Sequence, residues 1–338
     1  MASYYVRSGA AGAGTGADWT NAYTTLVTAL SGKAAGDIFY ISEDHAESAA
    51  TLTLTSPGTN ASPCLFYCVN HAGTVPPVAA DLTTGATFLS TTNTNITIAG
   101  CAYYYGLSFT AGNSTGAPLI TLAGTSTNTQ TYENCAFVLG STGGAAIVIG
   151  NSGAVVASEV RHVNCTLSFS AVAQTINPCA TWTWENKPGS NALLGAQVPT
   201  TLISFSTATG VVVLRGLDLS AAGSTKTLVA NTSGGPGSIL IEDCKLNASV
   251  TIQAVPNAPG RAKVDVVRSD SGSTNYRCDR YRYEGTLTIE TTIVRTGGAS
   301  DGTTPISWKI VTTADAEWHQ PFVCPPNETF PAAPALPA

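Results

Sequence analysis

Six side chains late in this 338-residue chain could do chemistry together: Glu242, Asp243, Lys245, Asp265, Arg268 and Asp270. Carboxylates beside basic groups are what polysaccharide-cleaving enzymes use. A cation-dependent lyase needs several carboxylates converging on its cation, with a Lys or Arg base near the substrate. A hydrolase needs two carboxyls, about 5 Å apart for retention and wider for inversion. Neighbouring strands could supply either spacing. A second candidate is Trp182-Thr183-Trp184, whose two rings share one strand face. They could form a platform for sugar rings, or pack against the body or a neighbouring subunit. No Ser-His-Asp set, phosphate loop or dinucleotide fingerprint accompanies these residues, and no cofactor is expected.

Nine cysteines form the third group. No secretory signal opens the chain and the number is odd, which favours free thiols. Cys64 and Cys68 lie four apart in an apolar run; on a strand that is roughly 13 Å, too far for a disulfide. A Cys-x-x-Cys zinc pair is absent and the four histidines are scattered, so no structural metal is expected. Three cysteines share a phrase: Glu133-Asn134-Cys135-Ala136-Phe137, Val163-Asn164-Cys165-Thr166-Leu167 and Glu242-Asp243-Cys244-Lys245-Leu246. The first two are 30 residues apart (164 − 134). The third follows after 79 (243 − 164), room for two further repeats and an insertion. Variants without the Asn stand at Cys101 and at Arg215-Gly216-Leu217-Asp218-Leu219.

The elements that would position these groups are short strands. Charged residues are only 11% of the chain against 43% hydrophobic, the remainder being rich in Ser, Thr, Asn and Gly, which fits a β-rich protein with little helix. A repeated turn between short strands predicts a single-stranded, right-handed parallel β-helix, in which equivalent residues stack about 4.8 Å apart. Stacked Asn134, Asn164 and Asp243 would then form an amide ladder at the turn. Cys135, Cys165 and Cys244 would point inward as small hydrophobes. Asp243 thereby becomes a rung of the scaffold, and Glu242, Lys245, Asp265, Arg268 and Asp270 become exterior positions with local ion pairs. A β-sandwich with coincidental echoes and a β-propeller are the alternatives.

Three parts follow. Residues 1–50 predict a cap: a strand at Tyr4-Tyr5-Val6, then an amphipathic helix with Trp19, Ala22, Tyr23, Leu26 and Leu30 on one face. Asp18 would cap that helix and Gly32 would end it. Residues 51–295 predict the β-helix, with an insertion near 171–200 where Pro178-Cys179 and Lys187-Pro188-Gly189 bracket the tryptophans. Residues 296–338 predict a C-terminal segment and an extended arm ending in CPPNETFPAAPALPA. Residues 48–158 carry two charged side chains (counting Asp, Glu, Lys and Arg), Asp81 and Glu133, whereas 242–295 carry fifteen, so the last coils have the more polar exterior and offer a face to another chain.

The net charge of −6 and pI near 5.1 give no footprint for nucleic acid. No basic run would hold an anionic membrane, and no stretch of 18 apolar residues would cross one.

The opening YYVRSGAAGAGTGADWTNAYTTLVTAL…GDIFYIS resembles the N-terminal cap of pectate-lyase-like β-helix proteins, and the Asn-Cys-x-apolar turns resemble their asparagine ladders. The stretch from Glu290 to Ile310 resembles the C-terminal part of tailed-phage virion proteins. The resemblance implies a homotrimer on the virion, made in the host cytoplasm. Its form would be a capsid decoration spike beside partners such as the major capsid protein, or a tailspike-like module holding host glycan. The expected role is structural, with polysaccharide cleavage as the alternative.

Overall fold

The computed structural model describes residues 1–124, 127–150, 158–194, 197–205, 210–223, 225–231, 237–247 and 250–254. It adds the strand backbones over 263–269, 278–289 and 310–319. The chain is all-β with almost no helix, and its strands stack in parallel sheets as a β-helix or roll. Three faces recur. On the first, Ser3–Val6 pairs with Ile38–Ser42, and pairing continues through Cys64–Val69, Ala102–Tyr105, Thr129–Glu133, Glu159–Val163, Thr181–Asn191, Val211–Asp218, Ser238–Glu242 and Lys263–Ser269. The second face runs from Ala46–Ala49 to Leu193–Leu194 through Thr87–Ser90, Ser108–Ala111, Ala136–Leu139 and Thr166–Phe169. The third includes Leu52–Thr55, Ile96–Ala99, Leu119–Leu122, Ala146–Ile149, Thr175–Pro178, Thr201–Phe205, Thr227–Asn231 and Thr251–Ala254.

In-register pairing stacks like on like. On the inner side of the first face Phe39, Phe66, Tyr104 and Tyr132 lie ring over ring at 4.8, 4.7 and 4.9 Å, continuing to His162 at 5.3 Å. The second face answers with Phe88, Phe109 and Phe137 at 5.4 and 5.5 Å, and Tyr132 meets Phe137 edge-on. Ile96, Ile120, Ile147 and Ile176 stack on the third. The apolar side chains among these are buried in one core, and His162 is buried beside them. A continuous interior of this kind removes apolar surface from water along the whole stack, the dominant favourable term in folding.

The repeated turn joins the first face to the second. Register aligns Tyr105, Glu133, Val163, Glu185, Arg215 and Glu242. The residues after them include Gly106, Asn134, Asn164, Gly216 and Asp243, with φ of 74°, 53°, 51°, 70° and 52°. What they share is left-handed backbone, which Gly adopts freely and Asn and Asp tolerate best among the rest. The amide ladder is a different matter. Among the described residues no hydrogen bond joins the Asn134 and Asn164 amides; Asn164 Oδ1 instead accepts the Lys187 N–H at 3.0 Å. The rungs are tied through this turn by backbone, Gly106 N–H to Glu133 O, Asn134 N–H to Val163 O and Asn164 N–H to Glu185 O, at 3.0, 3.0 and 2.9 Å. Gly106–Leu107, not Cys101, is the variant without Asn; Cys101 stands at the turn from third face to first.

Two glutamines satisfy turn backbone elsewhere. Gln130 donates to Ile98 O and Gly100 O and accepts from the Ala123 N–H and the Tyr132 hydroxyl. Gln174 donates to Ser141 O and Gly143 O and accepts from the Ser170 and Ala171 N–H groups. Each uses both ends of a buried amide, as a polar group inside a core must.

The N-terminal segment departs from the expected helix. The helix is Leu26–Leu30, capped by Thr25, and Gly32 follows it at φ 69°. Residues 16–23 instead run beside Ser3–Val6: Tyr5 N–H bonds Gly16 O, Tyr23 N–H bonds Tyr5 O, and Arg7 N–H bonds Tyr23 O. Asp18 closes a turn by accepting the Asn21 N–H at 2.7 Å. An open strand edge needs backbone partners, which a longer helix could not have offered. Leu26 and Ala29 still join the core with Val6, Phe39 and Leu52.

At the other end, parallel pairing reaches Lys263–Ser269 and then gives way. Cys278–Ile289 pairs antiparallel with Lys263–Ser269, and Ile310–His319 pairs antiparallel with Cys278–Ile289. Among the described residues, Lys263–Ser269 is the last strand in parallel pairing. The Pro-rich arm from Cys324 and most of the Glu290-to-Ile310 stretch lie outside the described residues.

If left-handed backbone rather than an amide ladder selects Asn134, Asn134→Gly should unfold within about 0.5 kcal/mol of the parent. Asn134→Val should lose about 1–2 kcal/mol, since a β-branched residue resists that φ. Equal losses for both variants in urea denaturation would restore the amide ladder.

Candidate functional site

The tryptophans are core residues. Alternation along Thr181–Asn191 turns both rings inward, opposite Val160 and His162, and neither is exposed. Trp182 Nε1 donates to His162 Nδ1 at 2.7 Å and Trp184 Nε1 to Cys165 O at 3.3 Å. They offer no platform to a sugar or to a subunit. The insertion is smaller than expected: a bulge between Glu185 and Ser190, where four residues stand opposite Gly216.

The thiols are equally committed. Cys135, Cys165 and Cys244 are buried, and each Sγ points to the carbonyl two residues back and to one on the preceding rung, at 3.3 to 3.6 Å. Burial pushes Cys68 up to about 11 and Cys244 up to about 12, and with Cys165 beside it holds Cys135 well above the ordinary thiol range. Such thiols are poor nucleophiles.

The charged group resolves into surface ion pairs. Arg161 pairs with Glu185, Arg215 with Glu242 at 2.6 Å and with Glu185 at 3.8 Å, and Lys245 with Asp218 at 3.1 Å. Glu242 thus continues an alternating-sign column with Arg215 and Glu185, Lys245 pairs with Asp218 on the other side of the turn, and Asp243 is the left-handed turn residue between them. Asp265 lies opposite Leu240 and Arg268 lies in the same strand; the side chains of both, and all of Asp270, fall outside the described residues. Another polar cluster was not anticipated. His71 Nδ1 lies 3.0 Å from Ser42 Oγ and 3.1 Å from Glu43 Oε1, while Ser42 Oγ donates to Asp44 at 2.5 Å. A nucleophilic triad needs serine and acid on opposite ring nitrogens, and here both use Nδ1. The Arg7 guanidinium outweighs burial and holds Asp44 at about 2. Burial works against Glu43, but the His71 backbone N–H and ring hold it below the usual carboxylate range. A glycosidase acid needs the opposite shift.

What the first face presents outward is aromatic. The doublets Tyr4-Tyr5, Phe39-Tyr40, Phe66-Tyr67 and Tyr104-Tyr105 each send the first ring in and the second out. The outer rings run along the stack, Tyr5 to Tyr40 at 5.6 Å, Tyr40 to Tyr67 at 6.4 Å and Tyr67 to Tyr103 at 5.7 Å. Trp19 closes one end edge-on to Tyr5 at 4.8 Å, with His71 beyond it at 6.0 Å. At the other end the Tyr103 hydroxyl donates to Glu133 Oε2 at 2.7 Å. Burial raises Tyr5, Tyr67 and Tyr103, the last further by its bond to Glu133, so these phenols stay protonated donors. The signal was present in the sequence as the repeated aromatic-Tyr doublet, which carries no spacing clue until the rungs are aligned.

No family model, curated protein or solved structure matches this chain. Among the described residues, no cluster of three or more His, Cys, Asp or Glu could hold a metal ion, and no helix is long and apolar enough to cross a membrane.

Two predictions follow from the buried groups. The seven described cysteines should ignore a thiol reagent at pH 8 in the folded protein and react in denaturant; fast native labelling of Cys135, Cys165 or Cys244 would contradict their placement. Burial pushes His162 down to about 3. The unfolded chain takes up that proton as pH falls through about 6.5 while the folded chain does not, so this contribution is complete above 6.5 and lost as pH drops toward 3. Between pH 6.5 and 5, before carboxylates titrate, it should cost about 1.5 kcal/mol. His162→Phe should lower stability at pH 8 yet remove that portion of the slope in urea titrations; an unchanged slope would place the ring in water.

Proposed function

We propose that the chain is a right-handed, single-stranded parallel β-helix, capped by residues 1–50 and extended by a Pro-rich arm, with a structural rather than catalytic role. The observation that carries this reading is the fate of the charged side chains among the described residues. Glu242, Lys245, Asp218, Glu185, Arg161 and Arg215 pair with one another on the surface. Asp44 and Glu43 are held ionised, and Asp218 is too, where Ser220 and Lys245 outweigh burial. A hydrolase needs a carboxyl kept neutral beside one kept ionised, and a cation-dependent lyase needs carboxylates gathered on one cation, which no cluster among the described residues offers.

The setting that best suits such a scaffold is the surface of a tailed-phage particle. There the chain would act as a trimeric decoration spike seated on the major capsid protein, needing no cofactor, nucleic acid or membrane. Support comes from the low charge of residues 48–158, whose second and third faces cost little to bury between subunits, and from the resemblance of the Glu290-to-Ile310 stretch to tailed-phage virion proteins. Mass spectrometry of purified particles should find hundreds of copies per particle, and sedimentation of the isolated protein should give a trimer. Pectic and capsular polymers should emerge from incubation with unchanged oligosaccharide profiles. A protein absent from particles, or one that shortens these polymers, would overturn the proposal.

A further inference from the structure

The outward tyrosine column has no task in a purely structural role. Outward positions of a solvated sheet are usually filled by Thr, Ser or charged residues, as they are farther along this same face at Thr131, Arg161 and Thr183. Over the first rungs the chain instead sets Tyr5, Tyr40, Tyr67, Tyr103 and Tyr105 outside, all but Tyr5 partly exposed. The residues lie on backbone held by parallel pairing on both sides and by the ring stack beneath, so the platform is rigid before anything binds.

Charge narrows the partner. Glu133 follows Tyr105 in the column and is already joined to Tyr103, and Glu43 and Asp18 stand near the Trp19 end. The nearby cations are committed: Arg7 to Asp44, Arg161 to Glu185, and Lys33 to the Tyr4 and Tyr23 rings at 4.3 and 5.0 Å. The strip is therefore aromatic, rich in hydroxyl donors and acidic. Aromatic faces stack against the C–H faces of sugar rings while phenols bond their hydroxyls, and the acidic flank repels carboxylated or sulfated chains.

We infer that the outward tyrosine column of the first face binds an uncharged glycan laid along the stack of rungs. This stands apart from the virion assignment, and it puts the glycan surface at least 77 residues before the tryptophans (182 − 105).

The test is calorimetric titration of the full chain with cellohexaose, laminarihexaose, maltohexaose, N-acetylchitohexaose and hexagalacturonate at millimolar concentration. At least one of the four uncharged hexamers should bind and hexagalacturonate should not. Tyr40→Ala and Tyr67→Ala should each weaken that binding at least tenfold, Tyr67→Phe should hold it within about threefold, and Thr183→Ala should leave it unchanged. If an alanine variant fails to fold, the parent protein still reports: the bound hexamer should slow tetranitromethane nitration of Tyr40 and Tyr67. Silence toward all four uncharged hexamers, preference for hexagalacturonate, or full affinity in both alanine variants would overturn the inference. So would tyrosines that resist nitration without sugar because a second copy covers them, which sedimentation would reveal.

Discussion

The spacing of hydrogen-bonded strands governs everything else in this molecule. Parallel rungs lie about 4.8 Å apart, so whatever occupies a position meets its own equivalent above and below. That distance suits stacked aromatic rings, and the chain fills its inner columns with them: Phe39 on Phe66 on Tyr104 on Tyr132. A slip of one residue would exchange the inner and outer rings of every aromatic doublet, exposing the core stack and burying phenols without partners. Register is thus fixed by the interior, and the exterior inherits its order.

The same constraint explains where polar groups can survive inside. A turn between two faces leaves backbone groups pointing inward, and each needs a partner. The left-handed turn after Glu133 and Val163 meets that need with rung-to-rung backbone bonds and a thiol directed at two carbonyls. Elsewhere Gln130 and Gln174 reach across. Asn134, Asn164 and Asp243 are present because they can adopt the backbone angle, which is why Gly106 and Gly216 replace them without altering the fold.

Much of this was legible in the sequence, and the failures have physical causes. The Asn-Cys-x-apolar phrase located the turn and the inward thiol, because one left-handed residue followed by alternation leaves a fixed imprint. It could not reveal whether Asn was chosen for its amide or for its φ. The helical pattern from Trp19 was real only from Leu26; the need of the Ser3–Val6 edge for backbone partners overrode periodicity before that. The tryptophans were placed on one face correctly, but which face points inward is decided by Val160 and Val212 on neighbouring rungs, not by Trp182 itself. The tyrosine column was hidden because its members lie 27 to 38 residues apart, brought together only by rungs of unequal length.

Register is therefore the claim to test most directly. Thr131 and Arg161 are side-by-side partners on adjacent rungs of the first face, both outward. A Thr131→Cys/Arg161→Cys pair should be joined by a short bis-thiosulfonate linker in the folded protein, while Thr131→Cys/Glu159→Cys, displaced by two residues along the strand, should couple far more slowly. Equal coupling of the two pairs, or faster coupling of the displaced one, would contradict the stacking on which the core, the turns and the tyrosine column all depend.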